Sequence, residues 1–285
     1  MKFEHARLSL SPRSTANCFD LAVWFCGRHV GPVIGLWAIF AVPLATVVYY
    51  TAWHSAWGFP AALGAWFLGT GPFGVMLAGG AARSAFGEEL SLRKMLSDLK
   101  TDWPLVVRVL ALRVPIMLGF AVCLIPGALL AVSTGFWAES RILSPLHQQR
   151  HDRRSGELVK LEFVDLAVRA FLLLCAGLVL WMIWELTADV AWTILFGRSL
   201  FFGRLHELGS LLNDEVEVNT YVEHLWRLAT SDPAVLVLHL TTGLAAYAVC
   251  RLAWFFCYID LRVRRDCWDL ELEMLDESQR LDQAR

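Results

Sequence analysis

An all-α, polytopic transmembrane helix bundle of about six spans, edged by amphipathic interfacial helices, is the fold class this sequence predicts. Three observations predict it. Hydrophobic residues make up 56% of the 285-residue chain and the mean hydropathy is +0.49. Only 18% of residues are charged, and these cluster between long apolar runs, whereas a water-soluble domain of this length must cover its surface with charge. Several of the thirteen tryptophans, among them Trp53, Trp57, Trp103, Trp181 and Trp184, fall near the ends of apolar runs, where an amphipathic ring favours the headgroup layer.

Taken in order, residues 1–30 form a polar N-terminal segment, too polar for the basic start and apolar core of a cleavable signal peptide. Residues 15–29 place Phe19, Val23, Cys26 and Val30 on one helical side, which predicts a helix lying in the interface. Apolar stretches long enough to cross a bilayer cover 31–53, 57–82, 166–188 and 234–257. Between the second and third of these, residues 88–100 set Leu92, Met95, Leu96 and Leu99 opposite Arg93, Lys94 and Lys100, the pattern of a surface helix. Residues 258–285 continue the last span as a charged helix.

Residues 104–146 are decided by charge. Basic clusters occupy 1–30, 83–103, 147–165 and the tail after 257, and such clusters stay on the cytoplasmic side. An even number of spans must then lie between 83–103 and 147–165. The prediction is a hairpin turning at Pro126-Gly127, with arms 104–125 and 126–146 of about 21 residues, or roughly 32 Å each. The alternative is one span, 114–138, kinked at Pro126. In the hairpin Arg113 and Glu139 lie at matching depth on the two arms, so they are expected to form an intramembrane ion pair.

Other intramembrane charges are few. Glu185, with Asp189 a turn further on, is a candidate ion or proton site because a carboxylate in hydrocarbon is costly to keep without a role. Arg169 and Arg251 read as snorkelling anchors at span ends. In the second span Ala61, Ala65 and Gly69, and likewise Gly74, Ala78 and Ala82, form rows of small residues suited to close helix packing. Gly69-Thr70-Gly71-Pro72 there could instead mark an unwound break of the kind transporters use, though a packing kink is the plainer account.

No catalytic constellation stands out, and no cofactor or metal site is assigned. His147 and His151 have a ligand spacing, but a third ligand is missing from the motif. The seven cysteines avoid the predicted external loops and are expected to be free thiols. The near-neutral charge, without a basic stripe of interleaved aromatics, argues against nucleic acid.

Three motifs carry a resemblance: Pro12-Arg13-Ser14 followed by Asp20-Leu21, then Phe86-Gly87-Glu88 followed by Ser91-Leu92-Arg93, then Tyr258-x-Asp260-x-Arg262 leading to Trp268-Asp269-Leu270-Glu271-Leu272. Together they resemble an uncharacterised family of bacterial integral membrane proteins. The resemblance covers both ends and the first cytoplasmic loop, and it implies a multi-pass inner-membrane location with both termini cytoplasmic. By analogy it implies a non-enzymatic part in a cell-envelope assembly. On that expectation Asp20, Glu88, Arg262, Trp268, Asp269 and Glu271 are candidate docking residues, and the partners are the lipid bilayer and other membrane or cytoplasmic proteins. A small transporter or channel is the alternative function, and an intramembrane metal-dependent enzyme the third.

Overall fold

The computed structural model describes residues 13–54, 58–85, 87–101, 103–143, 161–211 and 218–266, and every regular element among them is an α-helix. These are α1 (Thr15–Arg28), α2 (Val30–His54), α3 (Gly58–Ala85), α4 (Leu92–Thr101), α5 (Trp103–Val122), α6 (Leu124–Thr134), α7 (Trp137–Leu143), α8 (Phe163–Phe196), α9 (Phe202–Leu211), α10 (Val218–Ser231) and α11 (Pro233–Asp266). Five of them, α2, α3, α5, α8 and α11, are long and apolar enough to cross a membrane. The 34 residues of α8 rise about 51 Å, so it outruns a hydrocarbon core of about 30 Å. It also leaves Phe171, Leu174, Leu178, Val179 and Ile183 exposed, an apolar surface that suits lipid and not water.

The predicted sixth span, 126–146, is not one helix. The return arm of the hairpin consists of α6, of 11 residues, and α7, of 7, joined at Gly135-Phe136. The reversal itself is real, but it falls at Cys123, whose backbone is extended, and not at Pro126-Gly127. Pro126 is the third residue of α6, within the first turn, where a missing N–H costs no helical hydrogen bond. The two arms close on glycine. A Cβ at Gly119 would lie 2.9 Å from Gly127 Cα, and one at Gly127 would lie 2.6 Å from the Phe120 backbone nitrogen. Backbones this close exclude the alternative of a single kinked span.

The chain divides into two compact units, residues 1–36, 71–175 and 248–285 in one, 37–70 and 176–247 in the other. In the first, α1 buries Cys18, Ala22 and Phe25, while Val23 and Val30 of the predicted stripe are exposed and Phe19 and Cys26 are half-buried. The predicted apolar face is thus the outer one. The inner stripe is Cys18, Ala22 and Phe25. Gly87, at φ 83°, ends α3: its N–H donates to Ser84 O and that of Glu88 to Arg83 O, a left-handed cap in which a side chain would be strained. That cap aims the chain into α4, where Met95 packs on Gly80 and Leu92 on Gly35. The motif Gly87…Ser91-Leu92 therefore builds a helix end and a packing contact.

Small residues in α3 sort by row. Gly74, Ala78 and Ala82 are buried, whereas Ala61 is exposed and Gly69 has open space beside it. Helix α3 also runs unbroken through Gly69-Thr70-Gly71-Pro72, so the unwound break considered as a transport feature is absent. Of the four residues only Pro72 lacks a backbone donor, and the helix continues on both sides of it.

In the second unit, the indoles of Trp37 and Trp66 donate to the carbonyl oxygens of Thr241 and Leu240 on α11, at 3.1 and 3.0 Å. Trp181, expected in the aromatic belt, is half-buried and donates to His239 O at 3.0 Å. Trp53, Trp103 and Trp184 are exposed, as belt residues would be. Trp57 lies outside the described residues.

Candidate functional site

Among the described residues four buried carboxylates organise the polar interior: Asp260 and Glu139 in the first unit, Asp189 and Glu185 in the second.

Asp260 sits near the C-terminal end of α11, and its side chain is 1% exposed. Its Oδ1 accepts the backbone N–H of Arg13 at 2.5 Å and Arg264 Nε at 3.1 Å, and its Oδ2 accepts Arg169 Nη1 at 2.9 Å. Arg169 also donates to Asp165 one turn earlier on α8, at 2.7 Å, and Arg264 returns a bond to the Arg13 carbonyl. One carboxylate thus ties the chain entering α1, the start of α8 and the end of α11. Ser14 follows directly and caps α1, accepting from Asn17 N at 3.2 Å. The outer motifs of the sequence therefore meet: Arg13-Ser14 from the first and Asp260 from the third form one joint. Arg169 was expected to snorkel; instead it is 4% exposed, because a desolvated guanidinium needs carboxylates within reach. Beside this joint the Cys18 and Cys257 thiols are hydrogen-bonded to each other, which draws Cys18 below its ordinary range against the effect of burial. Burial alone pushes the Cys26 thiol up to about 11.

Glu139 lies in the first turn of α7, fully buried, and pairs with Arg251 of α11. Arg251, another expected anchor, is thereby an internal counter-ion. Three residues further along α11, on the same face, Trp254 fills the junction between α6 and α7: its indole donates to Gly135 O at 3.1 Å and stacks on Phe136 at 4.7 Å. A Cβ on Gly135 would come within 2.7 Å of that indole, so the junction is shaped around it. Phe136, Leu166, Tyr258 and Leu261 complete the core here. Matching depth had suggested Arg113 as the partner of Glu139, and the partner found is Arg251. The Arg113 stem crosses α3 at Gly71, where a Cβ would sit 3.2 Å from its Cδ and Nε.

Asp189, on α8, takes the Ser199 hydroxyl and the N–H groups of Leu200, Phe201 and Phe202 at 2.5 to 3.2 Å. Gly197, at φ 72°, ends α8 and turns the chain back so that these donors converge. The carboxylate stands at the N-terminal end of α9, where unpaired N–H groups favour negative charge.

Glu185 Oε1 lies 2.5 Å from Nδ1 of His239 on α11, with side chains 3% and 14% exposed. The imidazole is walled edge-on by Trp181, at 6.1 Å, and Phe201, at 4.9 Å. Neither Glu185 Oε1 nor His239 Nδ1 has a hydrogen-bond partner among the described residues, so their contact is close but not aligned as a hydrogen bond.

Of the sequence-predicted residues, Glu139 and Glu185 are buried and paired, Asp20 and Glu88 are exposed, and Arg262 is 4% exposed and belongs to the interior. Trp268, Asp269, Glu271, His147 and His151 lie outside the described residues. Among the described residues no group of three or more His, Cys, Asp or Glu is placed to hold a metal ion. Sequence reasoning missed His239 altogether. Its signal was available: a histidine inside the apolar run 234–257 is as unusual there as an acid. Comparison with family models, curated proteins and solved structures finds no match to this chain.

Proposed function

We propose that this chain is a non-enzymatic scaffold or accessory subunit of a cell-envelope assembly, embedded in the bacterial inner membrane with both termini cytoplasmic. The observation that carries the reading is where the buried charge goes. Asp260 with Arg13 and Arg169, and Glu139 with Arg251, join segments far apart in sequence, while Asp189 is engaged by the Ser199 hydroxyl and the backbone N–H groups that follow it; Glu139 Oε2 alone of these carboxylate oxygens has no hydrogen-bond partner among the described residues. Groups committed in this way hold a bundle together and leave little for chemistry on a substrate. The acids that face outward, Asp20 before the first span and Glu88 after the cap of α3, sit in segments whose basic clusters assign them to the cytoplasm. With Trp268, Asp269 and Glu271 of the tail they make up the proposed docking set. Crosslinking in intact membranes followed by purification tests the proposal: a stoichiometric partner should be recovered, and Asp20→Lys with Glu88→Lys should lose it. A protein that purifies alone and runs as a monomer defeats the reading.

A second reading, a small transporter or channel, is favoured by one observation, the Glu185–His239 pair within the apolar part of α8 and α11. Ion flux into liposomes that vanishes in Glu185→Gln would establish it.

A further inference from the structure

The turn between α5 and α6 has the wrong side chains for water. From Val114 to Val132 no residue is charged and none carries a hydroxyl or amide side chain. A turn that stands in water is ordinarily rich in Asn, Asp, Ser and Gly, whose small or polar side chains suit its solvated backbone. Here the four residues at the tip are Val122, Cys123, Leu124 and Ile125, and all four are exposed, the three aliphatic ones by 85%, 76% and 67%. They continue the exposed flank of α5, made by Val107, Val114 and Leu118, and lead into that of α6, made by Leu129 and Leu130. One apolar surface thus runs up the first arm, over the tip and down the second.

The backbone of the tip also needs little from water. Only Cys123 is non-helical, and its N–H donates to Gly119 O at 2.9 Å. A helix start leaves about four N–H positions without a partner inside the helix. At α6 the first of these is Cys123, already bonded, and the fourth is Pro126, which has no N–H. Unpaired donors are costly in hydrocarbon, so a tip with half of them settled is suited to it. Length sets the depth. Val122 stands about 28 Å along α5 from Trp103, an exposed ring of the kind that sits in the headgroup layer, and about 21 Å from the exposed Arg108. The hydrocarbon layer is about 30 Å thick, so either anchor leaves the tip short of the far headgroups. The return arm is shorter still, since α6 rises only about 16 Å.

We propose that the α5–α6 hairpin is re-entrant: it dips into the bilayer and returns to the side it came from, with Val122, Leu124 and Ile125 seated among acyl chains of the far leaflet. The partner of this surface is lipid hydrocarbon. On this assignment α2, α3, α8 and α11 cross the membrane completely and the hairpin does not, while the number of complete crossings stays even. The inference concerns only the surroundings of the hairpin and is independent of the scaffold reading.

The test uses the exposed thiol at the tip. The chain keeps Cys123 and the buried Cys18 and Cys257, with Cys26, Cys175, Cys250 and Cys267 replaced by Ala. A sulfonated maleimide is applied to phosphatidylcholine vesicles containing it, freeze-thawed so that the reagent reaches both faces. The reference is Arg198→Cys, at the exposed turn after α8, in the same background with Cys123→Ala. Cys123 should label at least about tenfold more slowly than the reference, because a charged reagent is kept out of hydrocarbon. A spin label on Cys123 should collide more often with oxygen, which concentrates in hydrocarbon, than with a polar nickel chelate. Labelling as fast as the reference overturns the proposal, since the tip then stands in water. Slow labelling with a spin label that neither oxygen nor the chelate reaches also overturns it, since protein, from a partner or a second copy, then covers the tip. Should the substituted chain fail to fold, the wild-type protein gives the same rate, with the label on Cys123 resolved by peptide mass. Leu124→Asp gives a readout free of labels: it should lower the folded fraction at least about tenfold among acyl chains, and an unchanged folded fraction places the tip in water and overturns the proposal.

Discussion

Replacing Asp260 by Asn removes one charge while changing almost no volume, so it isolates the electrostatics of the joint between α1, α8 and α11. Asn keeps a single acceptor oxygen. If that oxygen stays toward the Arg13 N–H and Arg264 Nε, the new NH2 group points at Arg169 Nη1, a donor facing a donor where a 2.9 Å bond had been. Arg169, with its side chain 5% exposed, is left with Asp165, which is 45% exposed and a weaker partner for a desolvated guanidinium. Breaking a buried pair from one side costs about 3–5 kcal/mol. At about 2–4 °C per kcal/mol this lowers the melting temperature by roughly 6–20 °C. In a variant that keeps only Cys18 and Cys257, both buried beside Asp260, a thiol-reactive fluorophore in detergent micelles reads the transition, because these thiols react only once the joint opens. Arg169→Met should also destabilise, but Asp260→Asn combined with Arg169→Met should cost clearly less than the sum of the two. If Asp260→Asn melts within a degree of wild type, or if the two effects simply add, the joint does not work as described.

Three further outcomes follow from the geometry. Gly127→Ala should destabilise by about 1–3 kcal/mol or more, since its Cβ would meet the Phe120 backbone, whereas Gly69→Ala, with open space beside it, should be neutral or slightly stabilising; melting curves of the two variants in one detergent decide this. Mild oxidation at a temperature that opens the joint should convert Cys18 and Cys257 to a disulfide, two electrons and two protons passing to an added disulfide reagent, seen as a 2 Da mass loss absent in Cys18→Ser, whereas in the intact protein the buried thiols should stay reduced. Cys26, with its thiol pushed up to about 11, should label with maleimide at neutral pH about two orders of magnitude more slowly than a free cysteine, and its rate should rise about tenfold per pH unit; labelling of a variant lacking the other cysteines measures it.

The membrane character of the chain and its helices were legible because they depend on the length of apolar runs and on nothing else. The α5–α6 hairpin was legible from the basic clusters at 83–103 and 147–165, which call for a reversal between them if they are to lie on one side of a membrane. Its turn was misplaced by three residues: Pro126 signals a helix start as readily as a turn, and only the close approach of Gly119 to Gly127 shows which. The same limit explains Arg169, Arg251 and Trp181. Each has the composition of an interfacial anchor, and each is inside because a partner on another helix receives it. A local pattern states which side chains would tolerate the interface, but not whether a counter-ion lies across the bundle.

What the amino-acid sequence determined by itself is the solvent, the element type and the approximate number of long helices, all of which follow from transfer of contiguous apolar segments out of water. Only the tertiary structure decided the pairings: Glu139 with Arg251, Asp260 with Arg13 and Arg169, Glu185 with His239. The physical reason is range. Hydrophobic transfer is additive along the chain, whereas compensation of a buried charge is set by contacts of about 3 Å between residues that the chain separates by 54 to 247 positions.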